Sequence, residues 1–254
     1  MLKPIELRHR ARAAGLHFLI SLAIAALAAV LVLAVWYPGD YAVLSGGRSL
    51  FWLLVSVDVV MGPLLTLVVF DIRKPRAELV RDLAIIGVLQ LAALLYGLST
   101  VYQARPVALV FEVDRFRVVN AADVLMDELP QALPEYRQLP LTGPWLLSAR
   151  ESQPGDERLR SIELALKGFD LGQRPSYWQA YPLARARLLA RSRPIAVLLE
   201  KHPQVSEELG RLLSRSGQAA DGARFLPVVS RVDACAVVDR TGELLGFVRA
   251  DGFF

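Results

Sequence analysis

One cysteine, three histidines and no glycine-rich phosphate loop leave this 254-residue chain short of most chemistry. Cys235 stands alone, so an internal disulfide is excluded. Its neighbours, Ala234 to Val238, form an apolar strand pattern, in which a packed, inert thiol is expected rather than a nucleophile. Only His202 falls in the second half of the chain, while His9 and His17 lie near the amino terminus, so a histidine metal site or triad lacks members. Gly46-Gly47 follows no strand and opens no phosphate cradle. Glu112 and Asp114 stand two apart on a predicted strand; nothing nearby marks them as an acid–base couple, and two surface acids are expected. No enzyme, cofactor or metal is expected.

A basic surplus is also missing where a nucleic acid would need it. Residues 1–102 hold nine Lys/Arg against six Asp/Glu, and residues 103–254 hold twenty against nineteen. The excess sits beside the apolar runs of the first part, which removes the main support for a nucleic-acid partner.

Long apolar runs are what the sequence has. Hydrophobic residues make up 54% of the chain, and the mean hydropathy is +0.38. Leu16 to Trp36, Leu50 to Phe70 and Leu83 to Tyr102 each approach the ~20 residues that cross a ~30 Å hydrocarbon core. The first run follows a basic tail, residues 1–15, with Lys3, Arg8, Arg10 and Arg12. It is too long for a signal-peptide core, and Trp36-Tyr37-Pro38 is a poor cleavage site, so an uncleaved anchor is expected. The tail and the segment Asp71 to Asp82 each carry four basic residues, whereas Tyr37 to Ser49 carries only Arg48. Basic segments stay cytoplasmic. The expected fold is therefore three transmembrane helices, about 16–36, 50–70 and 83–102, followed by an extracytoplasmic α+β domain, 103–254. Trp36, Tyr37, Phe51, Trp52 and Tyr102 then fall at the outer boundary, where amphipathic rings prefer to lie.

The middle run organises the rest. Asp58 lies inside it, and Gly62-Pro63 is expected to interrupt or kink its helix one turn later. An acid at that depth faces a protein partner or a cavity. By rise per residue Asp58 lies ~18 Å from the cytoplasmic edge, Tyr96 ~20 Å and Gln90 ~11 Å, so Tyr96 is the depth match on the third run. Asp58, Gly62, Pro63, Thr66 and Tyr96 form a candidate helix-docking notch. Ser21, Ala25 and Ala29 form a candidate small-residue packing face. Asp58 either packs within the bundle or recognises a helix of another protein. A single acid makes a poor proton relay. His17 is expected at the edge, too far to pair with Asp58.

Beyond Gln103 the period changes. Val107 to Val113 predicts a strand, which Phe116 to Val119 extends past a bend. A short helix is expected in Ala121 to Leu129, and another strand in Pro144 to Ala149. A helix running to Lys167, with Leu159, Ile162, Leu164 and Leu166 as its apolar face, is followed by helical stretches at 185–191, 194–201 and 203–214. Strands return at 225–230, 234–238 and 244–248, the last two joined by a turn with glycine at 242. Arg185, Arg187, Arg191 and Arg193 form a basic cluster, read as a solvated face or as a contact for lipid headgroups or an acidic partner. An extracytoplasmic ligand sensor acting through a separate protein is the alternative function on this layout.

The segment VDVVMGPLLTLVVFD (57–71), the turn YPGDYAVLSGGRSLF before it, the run QLAALLYGLSTVYQARPVALVFEVDRFRVVNAADV (90–124) and the end FLPVVSRVDACAVVDRTGELLGFVRADGFF resemble the TfpX/TfpZ family of type IV pilin accessory proteins. The resemblance implies a bacterial inner-membrane protein that acts without catalysis, as a chaperone-like factor for a major type IV pilin subunit. With such a partner, the expectation for the residues themselves is that the notch receives the pilin's helix within the lipid bilayer and residues 103–254 touch its head. Asp71, at the cytoplasmic edge, is the candidate edge contact for that helix's terminal amine.

Overall fold

The structure, a computed structural model, describes residues 4–254. Met1 to Lys3, where the expected basic tail begins, lie outside the described residues. The chain folds as two units, each drawn from two stretches of sequence: residues 1–36 with 47–103, and residues 37–46 with 104–254.

The first four helices are α1 (Pro4–Ala29), α2 (Tyr41–Leu44), α3 (Gly47–Val69) and α4 (Arg76–Gln103). α1 continues into the wider winding of a π-helix over Val30–Trp36. Leu7–Trp36, Gly47–Val69 and Arg76–Gln103 are each long and apolar enough to cross a membrane. In this unit α3 packs against both α1 and α4, and the Trp36 and Tyr102 rings meet edge-on at 5.2 Å. Gly62-Pro63 does not interrupt α3, which runs through Pro63 as one helix. Neighbouring helices commonly support a proline in such apolar segments. α4 starts seven residues earlier than the hydropathy alone predicts. Pro75, which has no amide to lose, accepts the Leu79 amide at 3.1 Å and opens the first turn.

The second unit carries one mixed sheet. Its strands are β1 (Pro106–Glu112), β2 (Arg115–Asn120), β3 (Trp145–Ala149), β4 (Trp178–Ala180), β5 (Arg193–Pro194), β6 (Arg224–Val229), β7 (Ala234–Val238) and β8 (Leu244–Val248). They lie in the order β4-β3-β1-β2-β6-β7-β8, with β5 paired to β6. β1–β3 and β2–β6 are parallel, and the other pairs are antiparallel. The bend expected after β1 is a full reversal: Glu112 pairs with Arg115, and Val113 takes a φ of 52° that a β-branched residue rarely adopts.

Period-two alternation gives the sheet a core on each face. On one face Leu226, Val228, Ala236 and Val238 join Phe111, Phe116 and Tyr181. On the other, Phe225, Cys235 and Val237 pack under α7 (Ile195–Lys201) and α8 (Ser206–Ser216) through Leu198, Leu209 and Leu213. The remaining helices are α5 (Asp156–Leu166) and α6 (Arg185–Arg191). The helix expected over Ala121 to Leu129 is only a pair of 3-10 turns, because Val124 is extended and the Leu125 amide bonds the Gln173 carbonyl at 2.9 Å instead of continuing the helix.

The short stretch before α3 belongs to this second unit. Tyr37 is fully buried, Leu44 joins the core of Leu109, Leu226 and Ala236, and the Leu44 carbonyl accepts the Arg231 amide at 2.8 Å. What reads as a plain polar turn in the sequence is a piece of the sheet domain's packing.

Candidate functional site

Asp58, Gly62 and Thr66 recur every four residues, so they follow one side of α3, and residues of the flanking helices meet them there. Thr66 Oγ1 lies 2.5 Å from Nδ1 of His17 on α1. His17 is thus not a bare edge residue but an inter-helix bond, made to Thr66. On the other flank Gln90 Nε2 donates to the Asp58 carbonyl at 3.1 Å. A Cβ on Gly62 would fall 2.1 Å from that same nitrogen. The absent side chain admits the Gln90 amide, the role small residues play where apolar helices approach closely. Gly62 and Thr66 are therefore buried and filled by the protein's own groups.

Depth matching points to Tyr96 as the partner of Asp58, whereas Gln90 takes that backbone, because a long amide reaches where rise per residue puts it out of line. Tyr96 is 78% exposed. It shares with Asp58 a different feature, an open groove of about 350 Å³ between α3 and α4. Leu53, Val57 and Asp58 line it from α3, and Ala93, Tyr96 and Thr100 from α4. Gly97 lets Leu54 press in at its wall, where a Cβ would lie 2.2 Å from the leucine methyl. Of the notch residues, then, Asp58 and Tyr96 open onto one groove, Gly62 and Thr66 serve the helix contacts, and Pro63 is half-buried in α3.

Ser21 and Ala25 are buried on α1, as is Ala28; Ala29 is only half-buried. The buried stripe turns at Ala28 rather than continuing to Ala29. Asp71, just past α3, is already engaged. It accepts from Arg10 at 3.0 Å and from Arg73 at 3.1 Å, while Arg10 also donates to the Val68 carbonyl. Arg73 first, then Arg10, hold its carboxyl well below the usual carboxylate range.

A family model described as fimbrial assembly protein FimB matches residues 5–46. The fimbrial assembly protein of serogroup I from Dichelobacter nodosus is 38% identical over 246 residues, 96% of each chain. That of serogroup E1 is 37% identical over the same length and shares. The chain belongs to the fimbrial assembly protein family. The protein of serogroups C1 and C2 is 46% identical over 122 residues, covering 48% of this chain and 93% of that one. No solved structure matches.

In the second unit of this fimbrial assembly family member, the residues singled out for chemistry are absorbed into structure. Glu112 is not a surface acid: it is buried, bonded to Arg117 at 2.6 Å and to the Gly172 amide at 2.5 Å. Burial pushes its carboxyl up, and Arg117 opposes that. Asp114 stays at the turn with Arg115 at 2.7 Å. The Cys235 thiol is buried against the Ala250 carbonyl, and burial pushes it up to about 12. Among the described residues no group of His, Cys, Asp and Glu could hold a metal ion. The arginine cluster does not form one face. Arg185 pairs with Glu243, Arg187 reaches the Ala149 carbonyl at 2.6 Å, and Arg193 lies over Phe225 and Phe254.

Proposed function

We propose that this protein is a TfpX/TfpZ-type accessory factor of the bacterial inner membrane that holds a cognate type IV pilin and modulates pilus assembly and retraction without catalysis. Its three apolar helices span the bilayer. The basic ends stay in the cytoplasm, and the sheet unit lies in the periplasm. The fimbrial assembly names of its relatives support the general role.

One observation carries the specific reading: a groove between α3 and α4, largely apolar along both walls, with Asp58, Tyr96 and Thr100 as its polar points. Pilins store an apolar amino-terminal helix in the membrane. Helix association there depends on close packing and a few polar contacts, and this groove offers both. Gly62 and Thr66 support the walls rather than touch the guest. Asp71 is a weaker edge contact than the sequence implies, since an incoming amine would compete with Arg10 and Arg73.

Co-purification of the pilin and counts of surface pili, with Asp58→Leu, Asp58→Asn and the groove-filling Ala93→Trp, test this reading. Reduced capture in Asp58→Leu and Ala93→Trp, at normal protein levels, is expected. Normal capture and piliation in all three would sink it.

A further inference from the structure

α5 is an eleven-residue helix that buries none of its residues. Its sequence nevertheless has an apolar face: Leu159, Ile162 and Leu166, spaced by three and four, are 67%, 53% and 85% exposed. Scattered apolar side chains need no explanation, but a contiguous stripe on a helix marks a contact. The face borders an open groove of about 490 Å³ that runs between α5 and the β1–β2 turn, with Val113, Ile162 and Leu171 as its apolar lining.

Charge around this groove is unbalanced in a particular way. Its two acids are already matched, Glu151 by Arg187 at 3.4 Å and Asp170 by Arg117. Its two cations, Arg158 and Arg191, are exposed, and among the described residues their guanidinium groups have no hydrogen-bond or ion-pair partner. An apolar floor flanked by two unmatched guanidinium forks fits carboxylates held beside apolar side chains. A second copy fits poorly, because a two-fold pairing of this patch sets unmatched cations against each other.

We propose that the groove between α5 and the β1–β2 turn docks a segment of a partner protein that presents carboxylates beside two or three apolar side chains. The proposal stands apart from the α3–α4 groove, and the outcome of the pilin-capture experiment does not decide it.

The test uses the full chain in nanodiscs of zwitterionic lipid, with empty nanodiscs as control. Fluorescence anisotropy follows three labelled decapeptides, one of Leu and Glu, one of Leu and Lys, and one of Ser and Glu. Saturable binding of the Leu/Glu peptide alone is expected. Arg158→Glu with Arg191→Glu, and separately Ile162→Ser, should each weaken it by about tenfold. These positions are exposed, so the fold should persist, and an unchanged Tm checks that. The proposal is overturned if no peptide binds, if the Lys or Ser peptides bind equally, or if the variants leave binding unaltered. It is equally overturned if Ile162→Ser instead abolishes self-association, or if anionic vesicles rather than peptides are held through Arg158 and Arg191.

Discussion

The carboxamide of Gln90 occupies the space that a side chain at Gly62 would need: Nε2 lies 2.1 Å from where the Cβ would be. The same nitrogen donates to the Asp58 carbonyl. Placing any side chain at 62 therefore moves Gln90 and breaks an α3–α4 bond. Gly62→Leu should destabilise the helix unit by about 1–3 kcal/mol, the usual cost of overpacking. Gly62→Ala should cost less, and Gln90→Ala combined with it should recover most of that loss. Thermal unfolding of the purified protein in detergent measures all three, and a double variant no better than the worse single one would contradict the assignment.

Glu128 and Arg174 are buried together, joined at 2.7 and 3.0 Å, with Ser176 and Ser161 completing their bonds. Removing one member leaves a buried charge without its partner. Arg174→Met or Glu128→Leu alone should cost about 3–5 kcal/mol, and the two together clearly less than the sum. Denaturant titrations of the four species would measure the coupling.

Much of this layout is legible in the sequence, and the misses have physical causes. The three apolar runs and the strands 234–238 and 244–248 follow from hydropathy and period two, signals that are local. The reversal at Val113 is invisible because a valine at positive φ is the residue a turn rule excludes. The apolar face of α5 is legible in the sequence, yet the structure leaves Leu159, Ile162 and Leu166 exposed, since periodicity says which face is apolar and not what covers it. Axial depth favours Tyr96 over Gln90 because it ignores the reach of a side chain. The glycine at 62 on the facing helix is the signal in the sequence that points to Gln90.

Glu157 ties one part of the sheet unit's stability to pH. Arg150 first, then Tyr177 and the Gln153 amide, bond its carboxylate and lower it to about 2 from an ordinary value of 4.5. A depressed carboxyl stabilises the fold above its unfolded value, and that contribution is lost as pH falls from about 4.5 towards 2. The Tm difference between wild type and Glu157→Gln should be constant above pH ~5 and shrink below it. A difference independent of pH would contradict the assignment.

Cys235 should behave in the opposite limb. Its thiol stays protonated to about 12 in the fold, against an ordinary value of 9.0, so the stability it confers is lost as pH rises through that interval. At neutral pH a thiol reagent should label it only as fast as the unit unfolds, and labelling faster than unfolding would place it at the surface.

Leu44 is 3% exposed in the core of the sheet unit, far in sequence from its neighbours Leu109, Leu226 and Ala236. Leu44→Ala should cost about 2–5 kcal/mol, and should lower the unfolding temperature of the sheet unit rather than that of the helices. A loss confined to the helix signal would contradict this.

That position also sets an order of events during synthesis. Tyr37 to Gly46 leaves the ribosome early, yet its partners on β6 and β7 follow nearly two hundred residues later, which at 5–20 residues per second is a wait of roughly 10–40 s. Through that interval Tyr37 and Leu44 have no native cavity to enter. The sheet unit can close only when the chain has returned from α4 and delivered its last hairpin, so a gene fragment beginning at residue 103 encodes an incomplete domain.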